Sequence, residues 1–62
     1  MNVNLYIPDL GETTDLFSFE RQNNGKLTNN FRAEVQSASF GDSLMYETET
    51  GRLFEIVRLG EV

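Results

Sequence analysis

Residues 43–59 read SLMYETETGRLFEIVRL, and this stretch predicts the fold more clearly than any other part of the chain. Two runs rich in apolar residues, Ser43 to Thr48 and Arg52 to Leu59, flank the short turn Glu49-Thr50-Gly51. Apolar runs joined by a short glycine-containing turn are typical of a β-hairpin. Both faces of the second run are substantially apolar, which predicts a central strand covered on two sides. The residues after it, Gly60-Glu61-Val62, are expected to fray.

The first residues of the chain show the alternation of a half-buried strand. Val3, Leu5 and Ile7 fall on one face and polar residues and Tyr6 fall on the other, as a period of two requires. Pro8 cannot donate a ladder hydrogen bond, so this strand should stop there or lie at an edge of the sheet.

The next segment is interpreted as one arm of a second hairpin. Leu16 to Arg21 again alternates between two faces and leads into Asn24-Gly25. Asn-Gly is the strongest short hairpin motif, because both residues tolerate the positive φ of a type I′ turn. The sequence therefore predicts a hairpin tip at Asn24-Gly25, with a return arm that begins near Lys26-Leu27.

The stretch from Phe31 to Phe40 allows two interpretations. At a period of two, Phe31, Ala33 and Val35 line one face of a strand, whereas at helical period Phe31, Val35 and Ala38 share a face. Serine, valine and phenylalanine are mediocre helix formers, so the strand is preferred and the helix is kept as the alternative.

Together these segments predict one small domain over residues 1–62. The expected fold is mainly β, a small antiparallel meander or open barrel of four to five strands. The alternative is an α+β fold, an antiparallel sheet with one short helix around Phe31–Phe40. A domain of this size buries only about 60% of its extended-chain surface, and without cysteine it has no disulfide to compensate. We therefore expect it to form a homodimer or larger homo-oligomer, or to be completed by a protein partner.

The composition excludes most common catalytic chemistry, because the chain contains no histidine and no cysteine. Gly41-Asp42-Ser43-Leu44 matches the nucleophile block of a family of serine esterases and lipases, yet no histidine is present to accept the proton of Ser43. Neither a glycine-rich nor a lysine-bearing phosphate loop occurs. The sequence therefore predicts a protein that is not an enzyme and that has no cofactor and no metal site.

The charge balance points to a basic protein partner. Ten acidic and five basic residues give a formal net charge of −5, which opposes binding to a phosphate backbone. No apolar run is long enough to span a membrane and no basic segment resembles a signal peptide. A cytoplasmic location is therefore expected, in the host cell if the protein is viral.

We hypothesise from these observations a non-enzymatic, acidic protein-binding module. Its class is that of the small inhibitors or adaptors that phages direct at a basic site of a host protein. Tyrosines beside apolar stripes and exposed carboxylates are the candidate contacts: Tyr6, Glu34, Asp42, Tyr46, Glu47, Glu49 and Glu55. For Tyr46 and Tyr6, a position at the edge of the core is the alternative. A structural or assembly subunit that works as a homo-oligomer is the second hypothesis, and nucleic-acid binding through the five cations is a weaker third.

Overall fold

The computed structural model of the protein describes residues 1–22, 29–47 and 51–62. Along the chain, two strands are followed by two helices and then by two more strands: β1 Val3–Ile7, β2 Glu12–Asp15, α1 Leu16–Gln22, α2 Asn29–Ser37, β3 Ser43–Glu47 and β4 Leu53–Glu61. All neighbouring strands are antiparallel, and the order across the sheet is β2-β1-β4-β3. The fold is thus a small open sheet made of two hairpins, with two helices between them in sequence.

The predicted antiparallel, mainly β fold is confirmed, with four strands in the described part of the chain. The segment around residues 31–40 follows the helical alternative, as α2. Phe31 and Val35 are both buried in the core, and their spacing of four residues places them on one face of a helix. Tertiary packing of these two side chains outweighs the modest helix propensity of the segment.

The strand predicted for Leu16 to Arg21 is wrong, because these residues form helix α1. Leu16 and Phe19 are its buried residues. They are three positions apart, which places them on one face of a helix but on opposite faces of a strand. The predicted hairpin tip at Asn24-Gly25, like the start of its return arm, lies outside the described residues.

The side chains of Asp15, at the end of β2, and Asn2, just before β1, explain where α1 begins. The carboxylate of Asp15 accepts hydrogen bonds from the Ser18 backbone N–H at 2.8 Å and from the Ser18 hydroxyl at 3.0 Å. The side-chain oxygen of Asn2 accepts from the Phe17 backbone N–H at 3.1 Å. These contacts satisfy amide donors that the first turn of a helix leaves without an intrahelical acceptor.

The Asp15 cap makes the stability of the fold depend on pH. The hydrogen bond from the Ser18 backbone N–H is the largest cause that holds the pKa of Asp15 below its ordinary value. A lowered folded-state pKa stabilises the fold above the ordinary pKa, and this contribution disappears as the pH falls through the lowered value. We expect the urea midpoint of the wild type to fall in acid, and that of Asp15→Asn, which can still cap but carries no charge, to fall less. Equal acid dependence in the two proteins would contradict this role of Asp15.

The C-terminal hairpin is confirmed, as β3 and β4. Of its predicted turn, Glu49 and Thr50 lie outside the described part of the chain, whereas Gly51 has a positive φ of 83°. The strand does not end at Leu59, however, so the prediction of a frayed tail is wrong. Glu61 pairs with Val3, and the Val62 N–H donates to the Asn2 carbonyl at 3.2 Å. Pro8 follows the last residue of β1, as predicted.

The core lies on one face of the sheet, beneath the helices. Its fully or nearly fully buried residues come from both central strands and both helices: Val3, Leu5, Ile7, Leu16, Phe19, Phe31, Val35 and Ile56. The ring of Tyr46 packs against Phe19 and Phe31, with centroid distances of 5.2 and 5.1 Å. One layer of helices therefore covers one face of the sheet, and the described helices do not cover the other face.

Candidate protein-binding face

The face of the sheet that points away from the core is called the open face here. Strand pairing defines it, because residues directly opposite each other in neighbouring strands project to the same side. Its described members include Tyr6, Thr13, Ser43, Met45, Glu47, Leu53, Glu55 and Val57. They alternate with core residues such as Leu5 and Ile56, which fixes the direction in which they point.

The open face exposes several apolar side chains. Met45 is 58% exposed, Leu53 is 56% exposed and Tyr6 is 37% exposed. Strand β4 is central, as predicted, yet Leu53 and Glu55 on its open-face side are exposed. The prediction that both of its faces are covered is therefore wrong for this chain, because the described helices pack on one side only.

Among the open-face residues named above, the charged ones are two carboxylates, Glu47 and Glu55, and none is a lysine or an arginine. Glu47 lies opposite Leu53 and Glu55 lies opposite Met45, so each carboxylate borders an apolar side chain. The Ser43 hydroxyl donates a 2.6 Å hydrogen bond to Glu55. This bond holds the Glu55 carboxylate at a defined position on the face.

The two arginines of the C-terminal segment, Arg52 and Arg58, lie toward the side of the sheet that faces the core. Arg58 lies opposite Leu5 and is buried. Its guanidinium donates to the Gln36 carbonyl at 3.3 Å, to the Leu59 carbonyl at 3.2 Å and to the Ala38 carbonyl. The guanidinium of Arg52 lies 4.7 Å from the ring centroid of Phe54, which packs against the core. The open face is consequently acidic and apolar at the same time.

The structure brings three of the sequence-predicted contact residues together on the open face: Tyr6, Glu47 and Glu55. Three others lie elsewhere. Tyr46 faces the core, in the position that the core-edge alternative describes, and Glu34 is exposed on α2. Asp42 lies in the turn before β3, where its carboxylate accepts from the Ser39 N–H at 2.9 Å. Glu49 is outside the described residues.

Sequence reasoning missed the apolar part of the open face, namely Met45, Leu53 and Val57. The alternation that groups Leu53 and Val57 with Glu55 was visible, but it was interpreted as a second buried face. The register that adds Met45 and Tyr6 to the group is a property of strand pairing and not of any local motif. The serine of the esterase-like string, Ser43, is the first residue of β3 and directly follows a turn that contains the positive-φ Gly41.

A second surface feature lies beside the helices, a pocket of about 410 Å³ lined by Phe17, Glu20, Arg21 and Arg32. Arg32 forms an ion pair with Glu20 at 2.8 Å, and Arg21 donates to the Ser18 hydroxyl at 3.0 Å. Charges of both signs line this pocket, and the Glu20 carboxylate neutralises Arg32. The pocket therefore attracts a charged ligand less strongly than the open face does.

Comparisons with known proteins add no relative: no protein-family model, no curated protein and no solved structure matches the chain. None of the helices in the described ranges is long and apolar enough to cross a membrane. Within residues 1–22, 29–47 and 51–62, no cluster of three or more metal-ligating side chains is found.

Proposed function

We propose that this protein is a non-enzymatic binding module that docks its open face on a basic, partly apolar surface of another protein. The observation that supports this proposal is the composition of that face, which combines exposed Tyr6, Met45 and Leu53 with the carboxylates of Glu47 and Glu55. Contiguous exposed apolar surface on a small soluble domain is typical of an interaction site.

The charge of the open face determines the kind of partner. Glu47 and Glu55 attract lysine and arginine, and a complementary potential increases both specificity and the rate of association. Acidic partners and phosphate backbones are repelled by the same face. If the basic surface is the functional site of the partner, the module acts as an inhibitor. If the basic surface lies elsewhere on the partner, the module acts as an adaptor. A host protein is the expected target if the chain is viral.

A paired charge reversal tests the proposal. The double variant Glu47→Lys/Glu55→Lys should reduce affinity for the captured partner by about tenfold or more, because two attractive contacts become repulsive. The partner is first captured from the native cells on tagged wild-type protein and identified by mass spectrometry. The affinity of each variant for that purified partner is then measured by calorimetry at low and at high salt, since screening should weaken the wild-type complex.

The matched control is Glu12→Lys/Glu34→Lys, which changes the net charge by the same amount. Glu12 and Glu34 are exposed and lie outside the open face. We expect this control to retain most of the wild-type affinity. Equal losses in the two double variants would show that total charge matters and not the open face, and unchanged binding in both would contradict the proposal.

The second candidate function, a subunit of a homo-oligomeric assembly, is favoured by one observation: β3 is an edge strand. The mass in solution separates the two candidates. A closed oligomer that captures no other protein supports assembly, whereas specific capture that depends on Glu47 and Glu55 supports the binding module.

A further inference from the structure

Strand β3 has an unpaired edge in the described part of the chain, where β4 is its sheet neighbour. The Arg58 N–H donates to the Asp42 carbonyl at 2.9 Å. Because backbone groups alternate in direction along an antiparallel ladder, those of Leu44 and Tyr46 also point toward β4. The N–H and C=O groups of Ser43, Met45 and Glu47 therefore point outward, along the free edge.

The two edges of the sheet differ in how well they are protected. Strand β2 has four residues and passes directly into α1, whose first turn is held by Asn2 and Asp15. Strand β3 has five residues in continuous register with β4, and it contains neither proline nor lysine, the residues that usually block an edge. Of the two edges of the sheet, the edge of β3 is therefore the one that can pair with another strand.

We propose that this edge pairs with β3 of a second copy of the chain, antiparallel about a two-fold axis at Met45. In this register Met45 faces the Met45 of the second copy, Ser43 faces its Glu47, and Leu44 faces its Tyr46. All five residues of β3 are paired, three apolar pairs form because the Leu44–Tyr46 pair occurs twice, and no carboxylate lies directly opposite another. Like charges opposite each other would destabilise the pair, so the strand is complementary to itself in this register.

The size of the open face supports a second copy as the occupant of the edge. The open face spans four strands about 4.8 Å apart, with about five residues of about 3.3 Å in each, which is roughly 300 Å²; this is small beside the accessible surface of about 800 Å² that a standard interface buries on each partner. Edge pairing joins two open faces side by side into one continuous surface of about twice the area of one open face. It also supplies the oligomeric contact that a domain of 62 residues without disulfides is expected to need.

Cysteine cross-linking tests the register, because the chain has no cysteine of its own. Opposite residues of a hydrogen-bonded antiparallel pair have Cα atoms about 5.5 Å apart, which is within reach of a disulfide. Met45→Cys should therefore form a covalent dimer on mild oxidation, whereas Leu53→Cys, exposed on the open face of β4, should stay mostly monomeric. Equal cross-linking of the two variants would overturn the proposal.

Analytical ultracentrifugation provides the second measurement. We expect wild-type protein to reach twice its 7.1 kDa mass as its concentration is raised. Met45→Pro removes an N–H that points to the free edge and not to β4, and Met45→Lys places two ammonium groups at the axis; both should remain folded monomers. A monomeric wild type at all concentrations, or a dimer that survives both changes, would overturn the pairing. Neither result would affect the open-face proposal, which is tested by the Glu47 and Glu55 variants.

Discussion

Arg58→Met is expected to lower the free energy of unfolding by about 3 kcal/mol. Arg58 is 8% exposed and donates to the Gln36 and Ala38 carbonyls at the C-terminal end of α2. Helix α2 has no basic residue in its own last turn, so the guanidinium of β4 both satisfies these carbonyls and opposes the negative end of the helix dipole. Methionine fills the space of the side-chain stem but leaves the carbonyls without a donor.

The control for Arg58 is Arg58→Lys. Lysine keeps the positive charge but replaces a planar fork of donors by one ammonium group, so we expect about half of the loss seen with methionine. Urea denaturation followed by circular dichroism measures both variants. If Arg58→Met were as stable as the wild type, the proposed link between β4 and the end of α2 would be wrong.

The second large effect is expected at Ile56, which is fully buried on the core face of β4. Ile56→Ala should cost about 3 kcal/mol, because it removes buried methyl groups and leaves a cavity that the core fills only in part. Leu53 lies on the same strand but is 56% exposed on the open face. Leu53→Ala should therefore change the stability by less than about 0.5 kcal/mol.

Comparison of these two alanine variants in the same denaturation experiment checks which face of β4 is covered. Equal losses would mean that the open face is buried after all. A larger loss at Leu53 than at Ile56 would contradict the register of the sheet itself.

The hairpin of β3 and β4 could be predicted from the sequence because the residues that define it are close together in the chain. Apolar runs, a short turn and alternation at a period of two are sufficient to define both strands. The strand β1 and its end before Pro8 were predictable for the same reason, since proline prevents further ladder pairing.

The first helix could not be predicted, because its decisive interactions are not local. Phe17 and Phe19 share a face at a period of two, and Leu16 and Phe19 share one at helical period, so the apolar residues alone do not decide between strand and helix. The cap that selects the helix requires Asn2, which is brought to Phe17 only by the pairing of β1 with β2. The open face was missed on similar grounds. The hairpin that carries Glu47 and Glu55 could be predicted, but Tyr6 joins Val57 only through the pairing of β1 with β4.

That central pairing also has a consequence for the order of folding. Each hairpin closes a short loop, whereas the ladder that joins Val3 to Glu61 and Tyr6 to Val57 spans most of the chain. Closing such a long loop carries the largest entropic cost in the sheet and slows folding. The two hairpins can therefore form early, but neither β1 nor β4 can reach its central position until the other is available, so the domain must acquire its sheet in one late, cooperative step.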